Sequence, residues 1–138
     1  MKFSKRSIGN LAGIHPDLVR VMNEAIKDSS IDFTITEGVR TTERQQELYA
    51  QGRTKPGSIV TYADGVKSKS NHQVKADGYG HAVDLYPYID GSVRMENVLP
   101  LKVIAGHIKS VAGALNINVQ WGGDWEMKDY PHFEIIEK

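Results

Sequence analysis

Ser70-Asn71-His72-Gln73-Val74-Lys75-Ala76-Asp77-Gly78-Tyr79-Gly80-His81-Ala82-Val83-Asp84 is the stretch from which the fold is read. It sets one imidazole, His72, ahead of a Gly-rich turn and one carboxylate, Asp84, on the apolar segment that follows. A second imidazole comes near the C-terminus, in Asp129-Tyr130-Pro131-His132-Phe133-Glu134. Two neutral imidazoles and a carboxylate are a ligand set suited to catalytic zinc, with the fourth position left for water. Asp129, three residues before His132, is a candidate base for that water, with Glu134 next in line.

Working outward, Ala82 to Tyr88 reads as a strand stopped by the turn signal Asp90-Gly91. Alternate strand residues point to opposite faces, so His81 sits with Val83 and away from Asp84. The second imidazole is therefore sought at His72, which the intervening loop can fold back beside Asp84. By the same rule His132 and Glu134 share a face and leave Phe133 and Ile135 for the core, in a last strand over 133–136. His15 and His107, at a helix start and on a helix, suit capping or surface roles.

Upstream, residues 1–14 read as a loosely structured lead-in. His15-Pro16-Asp17 opens a helix that runs to about Asp28, with Leu18, Val19, Met22, Ala25 and Ile26 at helical spacing. Ile31 to Thr36 alternates as a half-buried strand. Thr42 and Gln45 have capping-box spacing for a helix closing at Gly52. Residues 53–69 hold turns around a strand-like segment, Ile59 to Tyr62. Downstream, Leu101, Ile104, Ile108, Val111, Ala112 and Leu115 form the stripe of a helix with Pro100 at its start, and Asn118 to Trp121 is a short strand. The order predicts an α+β domain, helices packed on a small, mainly antiparallel sheet.

The chain has 138 residues, enough for one domain with a real core and too few for two ordinary ones. Lys+Arg and Asp+Glu both number 17, and this balance gives no support to a nucleic-acid or membrane-surface partner. Cysteine is absent, so disulfides and thiolate chemistry are excluded and any metal must be held by His, Asp or Glu. The first residues lack the apolar core of a signal peptide, and no run reaches membrane-spanning length.

Each residue singled out also has a plainer reading. His72 and His132 are ligands or ordinary hydrogen-bonded histidines. Asp84 either binds metal or pairs with Lys or Arg, since an unpaired buried carboxylate is costly. Asp129 is a base or a turn residue before Tyr130-Pro131, and Arg40, just past a strand, is functional or a surface ion pair.

Wider similarity bears on that choice. Phe3-Ser4-Lys5-Arg6-Ser7, Gly13-Ile14-His15-Pro16-Asp17-Leu18 and Asp32-Phe33-Thr34-Ile35-Thr36-Glu37-Gly38-Val39-Arg40-Thr41 stand in this order, with Glu43-Arg44-Gln45 behind them. Ser70-x-His72, Gly80-x-Ala82-x-Asp84 and Asp129-x-x-His132 follow, the last approached through Trp121-Gly122-Gly123-Asp124-Trp125. Over nearly its whole length the chain resembles the zinc peptidases of the D-Ala-D-Ala carboxypeptidase and L-alanyl-D-glutamate endopeptidase family, especially the single-domain phage endolysins. One departure is about five extra residues between His72 and Gly80, which set His72 and Asp84 twelve positions apart rather than seven.

The resemblance implies the hedgehog/DD-peptidase-like fold and a single zinc peptidase domain over 1–138, without a separate wall-binding domain. It implies Zn2+ on His72, Asp84 and His132, Asp129 as general base, Arg40 steadying substrate or oxyanion, and Ser70 as a substrate contact. The expected substrate is the peptidoglycan stem peptide, cut between L-alanine and D-glutamate by a monomer that inserts into no membrane. Such a lysin would gather in the host cytoplasm and reach the wall after the membrane is opened. A D-alanyl-D-alanine peptidase and a non-catalytic metal- or wall-binding module are the alternatives.

Overall fold

Pro16 and Asp17 open the helix as their chemistry dictates: Pro16 needs no N–H partner, and the His15 ring accepts a hydrogen bond from the Asp17 N–H at 3.1 Å. In the computed structural model, which describes residues 1–136, this helix is α2 (Pro16–Lys27), and a shorter α1 (Lys5–Leu11) precedes it. The remaining elements are β1 (Phe33–Glu37), α3 (Thr42–Ala50), β2 (Ala82–Ile89), β3 (Ser92–Val93), α4 (Val98–Ala114), β4 (Val119–Trp121) and β5 (His132–Ile135). A 3-10 turn over Gly122–Asp124 follows β4. The fold is α+β: among the described residues, four helices lie on a small sheet of strand order β1-β2-β5-β4, with β3 hairpinned onto β2 and every strand pair antiparallel.

The sheet has a dry face and a wet one. Phe33, Ile35, Val83, Leu85, Phe133 and Ile135 point to the dry side, where Leu18, Val21, Met22 and Ala25 of α2 and Leu101, Ile104 and Ile108 of α4 cover them. Each fully buried large side chain contributes roughly 1.5–3 kcal/mol. Asp84 on β2 and His132 and Glu134 on β5 point the other way into a cleft, as period-2 alternation requires.

Three sequence expectations are corrected. The lead-in is not loose: Ser4 caps α1 by accepting the Ser7 N–H, and Phe3, Ser7, Leu11 and Ile14 are buried. The Ser7 hydroxyl accepts the Ile35 N–H at 3.0 Å and the Asn10 side chain donates to the Ile35 carbonyl at 2.8 Å, so α1 covers the open edge of β1. The cap of α3 is Thr41, whose hydroxyl accepts the Arg44 N–H, while Gln45 turns inward instead of closing a capping box. Ile59 to Tyr62 forms no strand; its apolar side chains stay exposed along the cleft instead of joining the core.

Candidate active site

Strand register brings the first two residues together. Asp84 lies opposite His132 across the β2–β5 ladder and opposite Glu37 across β1–β2. The second pairing depends on a β-bulge, because Ile35 pairs with Leu85 and Glu37 with Asp84, leaving Thr36 unmatched. In a regular ladder Thr36 would lie opposite Asp84 and Glu37 would fall on the dry face with Ile35; the bulge puts Glu37 opposite Asp84 in the cleft. The Gly38 carbonyl is turned toward the cleft too, and any Cβ at Gly38 would collide with the Asn10 carbonyl.

His72 comes from the loop and is 2% exposed. Its carbonyl accepts the Arg40 N–H at 2.8 Å, and the His81 N–H reaches the Asn71 carbonyl at 2.7 Å. The extra residues close on themselves above this neck, with Lys75 N–H to the Tyr79 carbonyl and Gly78 N–H to the Lys75 carbonyl. The insertion therefore leaves His72 beside Asp84. His81 turns away and bonds Asp77 at 2.7 Å, as strand alternation predicts.

Three donor atoms converge in the cleft. His72 Nε2 lies 3.2 Å from Asp84 Oδ1 and 3.2 Å from His132 Nδ1, and His132 Nδ1 lies 3.5 Å from Asp84 Oδ1. The far ring nitrogens fix both tautomers. His72 Nδ1–H donates to the Gly38 carbonyl at 3.0 Å, and His132 Nε2–H donates to Glu134 at 2.8 Å. Neutral rings so held aim two lone pairs and a carboxylate at one point, an unfavourable meeting without a shared proton or cation. This group could hold a metal ion, and carbonyl or carboxylate partners behind the imidazoles are the usual company of metal-binding histidines.

Burial alone would raise the Asp84 carboxyl, but hydrogen bonds from His132 and His72 outweigh it and hold it well below the ordinary range. Burial would lower His132, yet its bonds to Asp84 and Glu134 push it up to about 9. Glu134 is lowered, because bonds from His132 and Asn71 overcome its burial. Glu134 thus orients an imidazole, which counts against it as a reserve base.

Asp129 sits at the rim, half exposed, 3.8 Å from His132 Nδ1. Its turn is folded against the 3-10 segment by Asp129 N–H to the Gly122 carbonyl, and any Cβ at Gly122 would strike the Asp129 carbonyl. Burial and the Asp84 charge raise its carboxyl above the usual value. Arg40 is no surface pair: only 10% exposed, it bonds Glu37 through Nε and Gln45 through Nη1, with Nη2 3.8 Å from Asp84. Ser70 lines the cleft and accepts the His72 N–H. Sequence reasoning missed Glu37, Gln45, Asn71 and Trp125, whose ring lies 5.1 Å from that of His132. Only the family-like runs around Glu37, Gln45 and Trp125 hinted at them.

Convergent donors, oriented imidazoles and a carboxylate at the rim of one cleft are the equipment of metal-assisted hydrolases. The chain belongs to the phage L-alanyl-D-glutamate peptidase family, whose model matches residues 1–138. It is 40% identical over 131 residues to the peptidoglycan L-alanyl-D-glutamate endopeptidase CwlK of Bacillus subtilis, covering 89% of this chain and 74% of that protein. It is 30% identical over 134 residues to the L-alanyl-D-glutamate peptidase of Escherichia phage T5, covering 97% and 88%. The crystal structure of the Serratia marcescens L-Ala D-Glu endopeptidase ChiX superposes with a TM-score of 0.77 at 34% identity, over 99% of this chain and 90% of that one. Among the described residues no helix is long and apolar enough to cross a membrane.

Proposed function

We propose that this chain is a zinc-dependent endopeptidase that hydrolyses the L-alanyl-D-glutamate bond of the peptidoglycan stem. The observation that carries the reading is the convergence of His72 Nε2, His132 Nδ1 and Asp84 Oδ1, each imidazole held from behind. A tetrahedral ion with bonds of roughly 2.0–2.1 Å needs donors about 3.3–3.4 Å apart, and the three separations here are 3.2, 3.2 and 3.5 Å. The hard–borderline donor set without thiolate suits zinc, which when bound supplies Lewis acidity to a water and to the scissile carbonyl.

The remaining work falls to the chain's own side chains. A carboxylate oxygen of Asp129 takes the proton from the attacking water and returns it to the departing amine. The Arg40 guanidinium, fixed by Glu37 and Gln45, faces the charge that develops on the carbonyl oxygen. Ser70 contacts the substrate from the cleft wall. Glu134 keeps the His132 ring in the tautomer that points Nδ1 inward.

Mass spectrometry of digested peptidoglycan tests this directly. The expected products are stems with a new N-terminal D-glutamate and glycan retaining L-alanine. Chelation is expected to stop the reaction and zinc to restore it. Release of D-alanine instead, or full turnover by metal-free protein, would overturn the assignment.

A further inference from the structure

The cleft encloses about 680 Å³ and runs beyond the donor cluster to a wall made by residues 59–62. This wall is braced from behind. Gln45, fully buried, donates to the Thr61 hydroxyl and to the Ala63 carbonyl. Arg53 donates to the Thr61 carbonyl at 3.1 Å and the Tyr49 carbonyl at 2.6 Å. Its guanidinium lies between two rings, 3.8 Å from the Tyr49 centroid and 5.7 Å from that of Tyr62. Tyr62 is thus presented by a braced segment, yet is 68% exposed.

The other aromatics of the cleft are committed. Trp125 packs against His132, and Tyr86 is half-buried on the β2 floor beside Asp84. Ile59 and Val60 flank Tyr62 and are exposed as well, so the wall is an apolar strip at the mouth of a polar site, an arrangement that marks a binding surface.

The substrate supplies an occupant. L-alanine begins the stem and is joined directly to the lactyl group of an N-acetylated sugar. At about 3.5 Å per residue, that sugar lies on the order of 7–10 Å from the scissile carbonyl. We infer that Tyr62 forms a carbohydrate subsite, its ring stacking on the C–H face of the sugar that carries the stem. The ring face is electronegative and the sugar's axial C–H groups electropositive, so the contact combines apolar burial with electrostatic fit. The inference rests on the endopeptidase reading and adds that the substrate is the glycan-attached stem.

The test compares kcat/KM for a disaccharide-linked stem with that for the same peptide lacking sugar, using the zinc-loaded enzyme. Wild type should prefer the sugar-linked substrate. Tyr62→Ala should reduce that preference about five- to tenfold, the worth of one aromatic contact. Tyr62→Phe should keep it, because the ring and not the hydroxyl makes the contact. An unchanged preference in Tyr62→Ala, an equal loss in Tyr62→Phe, or no preference in wild type overturns the subsite. A wild-type enzyme that cuts neither substrate at the L-alanyl-D-glutamate bond overturns the endopeptidase reading along with it.

Discussion

Asp129 is pulled in two directions. Burial and the Asp84 charge raise its carboxyl, while His132, His72 and Arg40 draw it down, and the net displacement is upward. A carboxylate raised toward the working pH is better matched to taking and returning a proton. Because Asp129 lies outside the converging donors, Asp129→Ala should keep zinc content and melting temperature while turnover falls by on the order of 10²–10⁴. Asp84→Ala should lose metal and turnover together; metal analysis beside a hydrolysis assay separates the two variants. Near-normal turnover by Asp129→Ala would remove it from the mechanism. The three donors were legible because a carboxylate in the apolar β2 segment is conspicuous, imidazoles number only five, and strand alternation sorts His81 from Asp84. Asn71, Glu37 and Gln45 were not, since they bond Glu134 and Arg40, one step behind the donors, and such bonds leave no local pattern.

Elements show a similar division. Helices α2 and α4 announce themselves by apolar periodicity, and β2 and β5 by alternation against a one-sided core. Helix α1 does not: it spans seven residues and docks partly through polar groups, Ser7 and Asn10, which satisfy Ile35 where β1 has no neighbouring strand. Ser7→Ala should leave a buried N–H without its acceptor and destabilise the fold by about 1–3 kcal/mol. Urea unfolding measures this; a change below the error of the experiment would mean that water or a shifted α1 replaces the hydroxyl. The bulge at Thr36 was equally illegible, because one unmatched residue shows itself only in register. Glu37→Ala leaves the register alone and should free Arg40 from its Nε partner. Activity is then expected to fall even if the sheet survives, and circular dichroism beside a turnover assay would show both.

For the molecule as a whole the donor cluster couples stability to pH. Burial opposes the charged form of His132, but Asp84 and Glu134 raise it from 6.5 to about 9 in the metal-free protein. A pKa raised by folding contributes stability that is fully present below the unfolded value and lost as pH rises through the folded one. Asp84 and Glu134 are held below their ordinary 3.8 and 4.5, so their contributions are present above those values and lost on acidification. Metal-free protein should therefore melt highest between the ordinary carboxylate and imidazole ranges and lose stability from pH 6.5 through about 9. Zinc-loaded protein, whose His132 has no such proton to lose, should not show the alkaline decline. Calorimetry across pH, with and without chelator, decides; a flat metal-free curve would refute the coupling. The α+β plan was legible from the order of elements, whereas the cleft wall was not, because Ile59 to Tyr62 is apolar for a reason other than the core. The self-closing turn above the His72 neck has a practical corollary. Its crossing points, Asn71 with His81 and Gly13 with Gly80, lie below the turn itself, so the chain between Lys75 and Gly78 is a socket. Reporter peptides or wall-targeting modules grafted between Lys75 and Ala76, ahead of the Asp77–His81 bond, would ride on the catalytic body and leave that bond in place.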